Sequence, residues 1–146
     1  LAEYVQMRPF TGGMFPFLDL IEMSEALLLD ADLRNHATVQ QMLTITANVV
    51  SWANDVLSLP KELKQGDIHN VVFSMQQSQH LTVQEALNRA ATLHNSEIEH
   101  FIAVEASLPD FGNGRDILLK RYALILRLLI RGSLEWLSTS VRYKVE

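Results

Sequence analysis

Apolar residues recur at the three-or-four spacing of a helix along nearly the whole chain, and no stretch between turn signals alternates apolar and polar positions. The pattern predicts an all-α fold. A first helix ends near Gly12-Gly13, and a second runs from Met14 to Leu29 with Pro16 tolerated in its first turn. A long helix follows from about Thr38 to Lys64, stopped by Gly66. Asn70 to Gln77 forms a shorter piece, and Thr82 with Glu85 makes a capping box that opens a helix running to about Ser107. Pro109, Gly112 and Gly114 mark a loop before the last helix, Asp116 to about Ser140. The result is a bundle of about five to six helices without internal repeat or low-complexity linker.

The last helix carries Ile117, Leu118, Leu119, Leu124, Ile125, Leu126, Leu128, Leu129 and Ile130 around most of its circumference, so it should lie in the middle of a packed assembly. Five or six helices are few to cover it. Together with a first residue that is not methionine, this predicts a fragment or one half of a larger bundle. Such a chain should associate, as a homo-oligomer or with the helices it lacks.

A length of 146 residues sets one domain as the expectation, and 48% apolar residues give that domain enough material for a core. The absence of cysteine excludes disulfides, thiolate metal sites and cysteine nucleophiles, and it fits a reducing, cytoplasmic setting. Residues 1–13 carry Glu3 and Arg8 and show no signal-peptide pattern. The uncharged stretch 35–54 is broken by threonine, glutamine and asparagine, and Tyr122 to Ile130 contains Arg127, so no membrane role is expected. Net charge is −5, yet residues 1–114 hold 5 basic and 14 acidic groups whereas 115–146 hold 7 and 3. In so acidic a chain the basic tail is read as pairing with acidic neighbours rather than with nucleic acid.

Within the long helix, Asn54, Ser58 and Glu62 stand at i, i+4 and i+8, which puts an amide oxygen, a hydroxyl and a carboxylate on one stripe. Three hard oxygen donors suit Mg²⁺, which keeps waters and is completed by substrate phosphate oxygens. Lys61 lies where an ammonium could reach the same phosphate. The competing reading is a solvated polar stripe, with Pro60 kinking or breaking the helix beside it. His94, Glu97 and His100, at i, i+3 and i+6, spread around their helix and read as a solvated face, while His69 and Asn70 serve a turn.

The run Asn54-Asp55-Val56-Leu57-Ser58-Leu59-Pro60-Lys61-Glu62 resembles the metal-binding triad motif of class I terpene synthases, the microbial ones in particular. Three further features match in order: Gly66-Asp67-Ile68-His69-Asn70 is similar to the turn after the motif helix, Arg142-Tyr143 to the terminal Arg-Tyr pair, and Arg8 with Gly12 to the pyrophosphate sensor and effector at a helix break. There are departures. Pro9 stands where the family usually has an acidic linker, and no aspartate-rich metal motif is present, Asp30 and Asp32 lacking its spacing. The resemblance therefore implies the class I terpenoid synthase fold in its C-terminal half only: residues 1–146 as the C-terminal part of one catalytic domain whose N-terminal half is missing.

What the resemblance implies chemically is Mg²⁺-dependent ionisation of a linear prenyl diphosphate and cyclisation of the allylic cation. Three Mg²⁺ are expected in the intact enzyme and one site in this chain, held by Asn54, Ser58 and Glu62. Arg8, Lys61, Arg142 and Tyr143 would grip the diphosphate, and the Gly12 carbonyl would direct its dipole at the developing cation. Trp136 and, less strongly, Phe15 are pocket candidates through their ring faces. The chain alone is expected to be inactive. A non-enzymatic helical interaction module is the alternative, and a chain-elongating prenyl synthase is weaker because it would need two aspartate-rich motifs.

Overall fold

The computed structural model describes residues 1–112 and 114–143, and its regular structure is entirely helical among them. Seven α-helices follow in order: α1 Ala2–Thr11, α2 Met14–Ser24, α3 Ala31–Arg34, α4 Ala37–Gln65, α5 Val71–Gln79, α6 Val83–Ala106 and α7 Arg115–Thr139; a 3₁₀ turn, Val141–Tyr143, comes last. Three of these are much longer than the rest, and they form the frame.

The helix ends follow local chemistry. Gly66 adopts φ +72° and closes α4, with the Asp67 N–H returning to the Glu62 carbonyl at 3.0 Å. The Asn70 side chain caps α5 at the Val72 N–H, and Thr82 with Glu85 forms the reciprocal capping box of α6. Pro60 does not break α4, which continues to Gln65.

Two expectations are corrected. The predicted helix Met14–Leu29 stops at Ser24: Ala26 turns to φ +49°, the Leu27 N–H reaches back to the Glu22 carbonyl at 3.0 Å, and Leu27 is buried. The chain then restarts as α3 with Asp30 as its cap. Neither is α7 the centre of the assembly. That place belongs to α4, which touches every other element, while α7 lies on one flank and exposes Ile117, Leu124, Leu128 and Trp136.

Two apolar clusters sit on either half of α4. The first joins Met42, Ile45 and Val49 of α4 to Phe101 of α6 and Leu119 and Leu126 of α7. The second joins Trp52 and Leu59 to Val71, Val72 and Met75 of α5, with Ala86 and Ala90 one turn apart on α6 letting that helix come close. Behind the first, Tyr122 donates to Glu22 at 2.6 Å, and Arg34 is paired with both Glu22 and Asp19, tying α2, α3 and α7 together. No helix among the described residues is long and apolar enough to cross a membrane.

Candidate functional site

The site is built on the second half of α4, around the polar residues Asn54, Asp55, Ser58 and Glu62. Asp55 is its buried anchor, with no exposed surface. Its Oδ1 accepts from Arg8 Nε at 2.9 Å and Arg8 Nη2 at 2.6 Å; its Oδ2 accepts from the Tyr4 hydroxyl at 2.7 Å and the Val71 N–H at 3.0 Å. One carboxylate thus ties α1 and the start of α5 to α4. Burial pushes the Asp55 carboxyl above the usual carboxylate range, with Arg8 pulling the other way, and burial beside Asp55 raises the Tyr4 phenol.

Beside it, Asn54 is engaged at both ends. Its Oδ1 accepts from Arg8 Nη2 at 3.2 Å, and its Nδ2 donates to the Tyr143 hydroxyl at 3.0 Å. One turn on, the Ser58 hydroxyl donates to Glu62 Oε1 at 2.6 Å, and Glu62 Oε2 accepts from Asn70 Nδ2 at 2.8 Å. The same Asn70 nitrogen donates to the Asp55 carbonyl at 2.6 Å. Asn70, read from sequence as a turn residue, is in fact fully buried and braces Glu62.

The 3₁₀ turn Val141–Tyr143 folds back onto this stripe. Lys61 Nζ and the Arg142 guanidinium each lie 5.9 Å from the centre of the Tyr143 ring, which meets Trp136 edge-on at 5.7 Å. The terminal Arg-Tyr pair and the start of the oxygen-donor row therefore occupy one corner of the molecule.

From that corner a cavity of about 580 Å³ opens between α1, α2 and α7, with α4 as its floor. Arg8, Gly12, Asn54 and Trp136 line it among apolar side chains such as Met14, Leu129 and Leu137. Ser58 and Glu62 do not line it; they lie farther along α4, toward Asn70. Phe15 does not line it either. It packs against the first core cluster with its ring 4.9 Å from Phe10, and Phe17, two residues on, faces the cavity instead.

Gly12 has an ordinary helical backbone angle, φ −74°, and sits in a crowded place. A Cβ added there would lie 3.0 Å from Ser51 Oγ and 3.1 Å from Arg8 Nη1. Ser51 Oγ is buried and makes no hydrogen bond. Pro16, four residues on, has no N–H to return to the Gly12 carbonyl. Of the residues read as a solvated face, His100 is exposed and meets Gln41 of α4 at 2.8 Å, while the less exposed Glu97 accepts from Asn48 at 2.8 Å.

Sequence reasoning missed Asp55, Tyr4, Asn70 and Ser51. The signal for Asp55 and Asn70 was their place inside the two matched motifs; Tyr4 and Ser51 had none.

Residues 1–100 match a family model described as terpene synthase family 2, C-terminal metal binding. Germacrene A synthase of Nostoc punctiforme is 31% identical over 143 residues, 98% of this chain and 44% of that protein. (+)-T-muurolol synthase of Roseiflexus castenholzii is 35% identical over the same length, again 98% and 44%. The fold superposes with a TM-score of 0.84 on 2-methylisoborneol synthase of Streptomyces coelicolor, solved in complex with Mg²⁺ and 2-fluoroneryl diphosphate, at 24% identity over 99% of this chain and 44% of that one. This chain spans less than half the length of the curated relatives it matches.

Proposed function

Since the chain belongs to terpene synthase family 2, in its C-terminal metal-binding part, we propose that it supplies one half of a class I terpene cyclase, which ionises a linear prenyl diphosphate and cyclises the allylic cation. The single observation that carries this is Asn54. It belongs to the oxygen-donor row, lines the apolar cavity beside Arg8 and Trp136, and holds the terminal tyrosine.

The donor row fits Mg²⁺. Asn54 Oδ1, Ser58 Oγ and the Glu62 carboxylate are three hard oxygens on one helix stripe, two of them already 2.6 Å apart, with Asn70 bracing the carboxylate from behind. These three residues hold one ion; three ions are expected in the intact enzyme. When bound, Mg²⁺ supplies positive charge against the negative charge that develops on a departing diphosphate.

The chain's own residues do the rest. Arg8, Lys61, Arg142 and the Tyr143 hydroxyl bind and orient the diphosphate, and their fixed positive charge and donors favour its departure. Met14, Leu129 and Leu137 keep water from the cation, and the face of Trp136 stabilises it. Gly12 lines the same space, and its carbonyl, without an i+4 donor, is free to direct its dipole at the developing cation.

Residues 1–146 form the C-terminal part of one catalytic domain on this reading. The apolar face left open by α2 and α7, with Leu20, Met23, Ile117 and Leu128 exposed, is where the upstream half packs, or a second copy in its absence.

The test is turnover. Incubated alone with Mg²⁺ and farnesyl or geranyl diphosphate, this chain yields no cyclised product. Joined to an upstream half bearing an aspartate-rich motif, it releases diphosphate, and Asn54→Ala or Glu62→Ala lowers that release by roughly 10²-fold. Undiminished release from both variants would refute the metal assignment.

A further inference from the structure

A buried carboxylate beside a site for an anion is electrostatically adverse, since it repels the ligand that the neighbouring cations attract. Asp55 is such a group, and it belongs to neither the donor row nor the cavity lining. Its contacts account for its presence. Arg8 is a long side chain near the end of a short helix, with rotamer freedom to lose before it can hold a ligand in one geometry. Asp55 Oδ1 takes two of its donors, Nε at 2.9 Å and Nη2 at 2.6 Å. Asp55 cannot itself swing, because Oδ2 is held by the Tyr4 hydroxyl and by a backbone N–H at the start of α5.

The consequence lies at the third nitrogen. With Nε and Nη2 committed to Asp55 and Asn54, Nη1 is the donor left over, set beside Gly12 at the cavity wall. We infer that Asp55 is a positioning residue: it orients Arg8 so that one amino group faces the diphosphate subsite. The inference rests on the reading of Arg8 as a diphosphate ligand. Preorganisation outweighs repulsion, because the charge of Asp55 is already neutralised by the guanidinium it holds, while the ordering cost is met on folding rather than on binding.

A purely structural Asp55 and a positioning Asp55 predict opposite signs. If it served stability alone, a folded Asp55→Asn chain, having lost a negative charge beside an anion site, would bind diphosphate as well as the wild type or better. Positioning predicts weaker binding. The probe is inorganic diphosphate with Mg²⁺, titrated calorimetrically into this chain at a temperature where both proteins keep their full helical circular dichroism. Asp55→Asn should weaken binding at least roughly tenfold, and Tyr4→Phe, which only frees Oδ2, by a smaller factor in the same direction. Should Asp55→Asn fail to fold, Tyr4→Phe carries the test by itself. Unchanged or tighter binding in a folded variant overturns the inference. A wild-type chain that binds no diphosphate overturns the parent reading, and this one with it; that failure is distinguishable because it appears before any substitution is made.

Discussion

Asn54 and Tyr143 are joined by a 3.0 Å hydrogen bond across 89 positions of sequence, from the central helix to the 3₁₀ turn Val141–Tyr143. The same Asn54 accepts at 3.2 Å from Arg8, 46 positions earlier in the sequence. One amide therefore fastens α1 and the 3₁₀ turn to the donor row.

Removing the Tyr143 hydroxyl should loosen that corner without unfolding the bundle. Tyr143→Phe forfeits one hydrogen bond of about 0.5–1.5 kcal/mol, and Tyr143→Ala also removes the ring edge 5.7 Å from Trp136. The emission of Trp136, half exposed on α7, should shift with Tyr143→Ala while the melting temperature falls only slightly. An unaltered emission spectrum would mean that the terminal turn does not rest on Trp136 in solution.

Gly12→Ala should destabilise the chain by about 1–3 kcal/mol, as overpacking does, because the new Cβ meets Ser51 Oγ at 3.0 Å and the Arg8 side chain and carbonyl at 3.1 and 3.2 Å. Ser51→Ala removes the closest of those atoms, so the double variant should be more stable than the sum of the single effects. Additive losses in a double-mutant cycle by urea unfolding would refute the contact.

Two phenols give an alkaline signature. Burial, reinforced by Glu22, raises Tyr122, and burial, reinforced by Asp55, raises Tyr4, both above the ordinary value of 10.0. Folded values above the unfolded ones mean that the contribution to stability is complete below about pH 10 and declines as pH rises beyond it, where only the unfolded chain gives up these protons. The phenolate absorbance of Tyr4 and Tyr122 should therefore emerge together with loss of helical circular dichroism. Its appearance in Tyr143→Phe while the helices remain intact would contradict the buried pairs.

What could be read from the amino acids alone was whatever is decided within a few residues. Gly66, Asn70 and the Thr82–Glu85 box marked helix ends because capping is local. The end of α2 was hidden: Leu27, Leu28 and Leu29 continue the apolar pattern, and the helix stops at Ser24 because burying Leu27 and pairing Glu22 with Arg34 and Tyr122 fix a turn there. Likewise α7 looked central because its residues are apolar all round, but that pattern reports how much surface needs covering, not what covers it. At the site, the stripe from Asn54 to Glu62 was legible as periodicity. The choice of Asp55 as the anchor was not, since its partners Tyr4 and Arg8 lie 51 and 47 residues away. Phe15 and Phe17 could not be told apart without knowing which side of α2 meets α4.

The most direct measurement is a thermal melt of this chain with Mg²⁺ and inorganic diphosphate, each alone and both together. A site with Asn54, Ser58 and Glu62 on the metal and Arg8, Lys61 and Arg142 on the anion should be stabilised by the pair more than by either component, by about 2.7 kcal/mol at a hundredfold excess over the dissociation constant. Asn54→Ala and Glu62→Ala should erase that gain while the unliganded protein still folds. Equal melting with and without the pair would make the oxygen row an ordinary polar stripe on a helical interaction module.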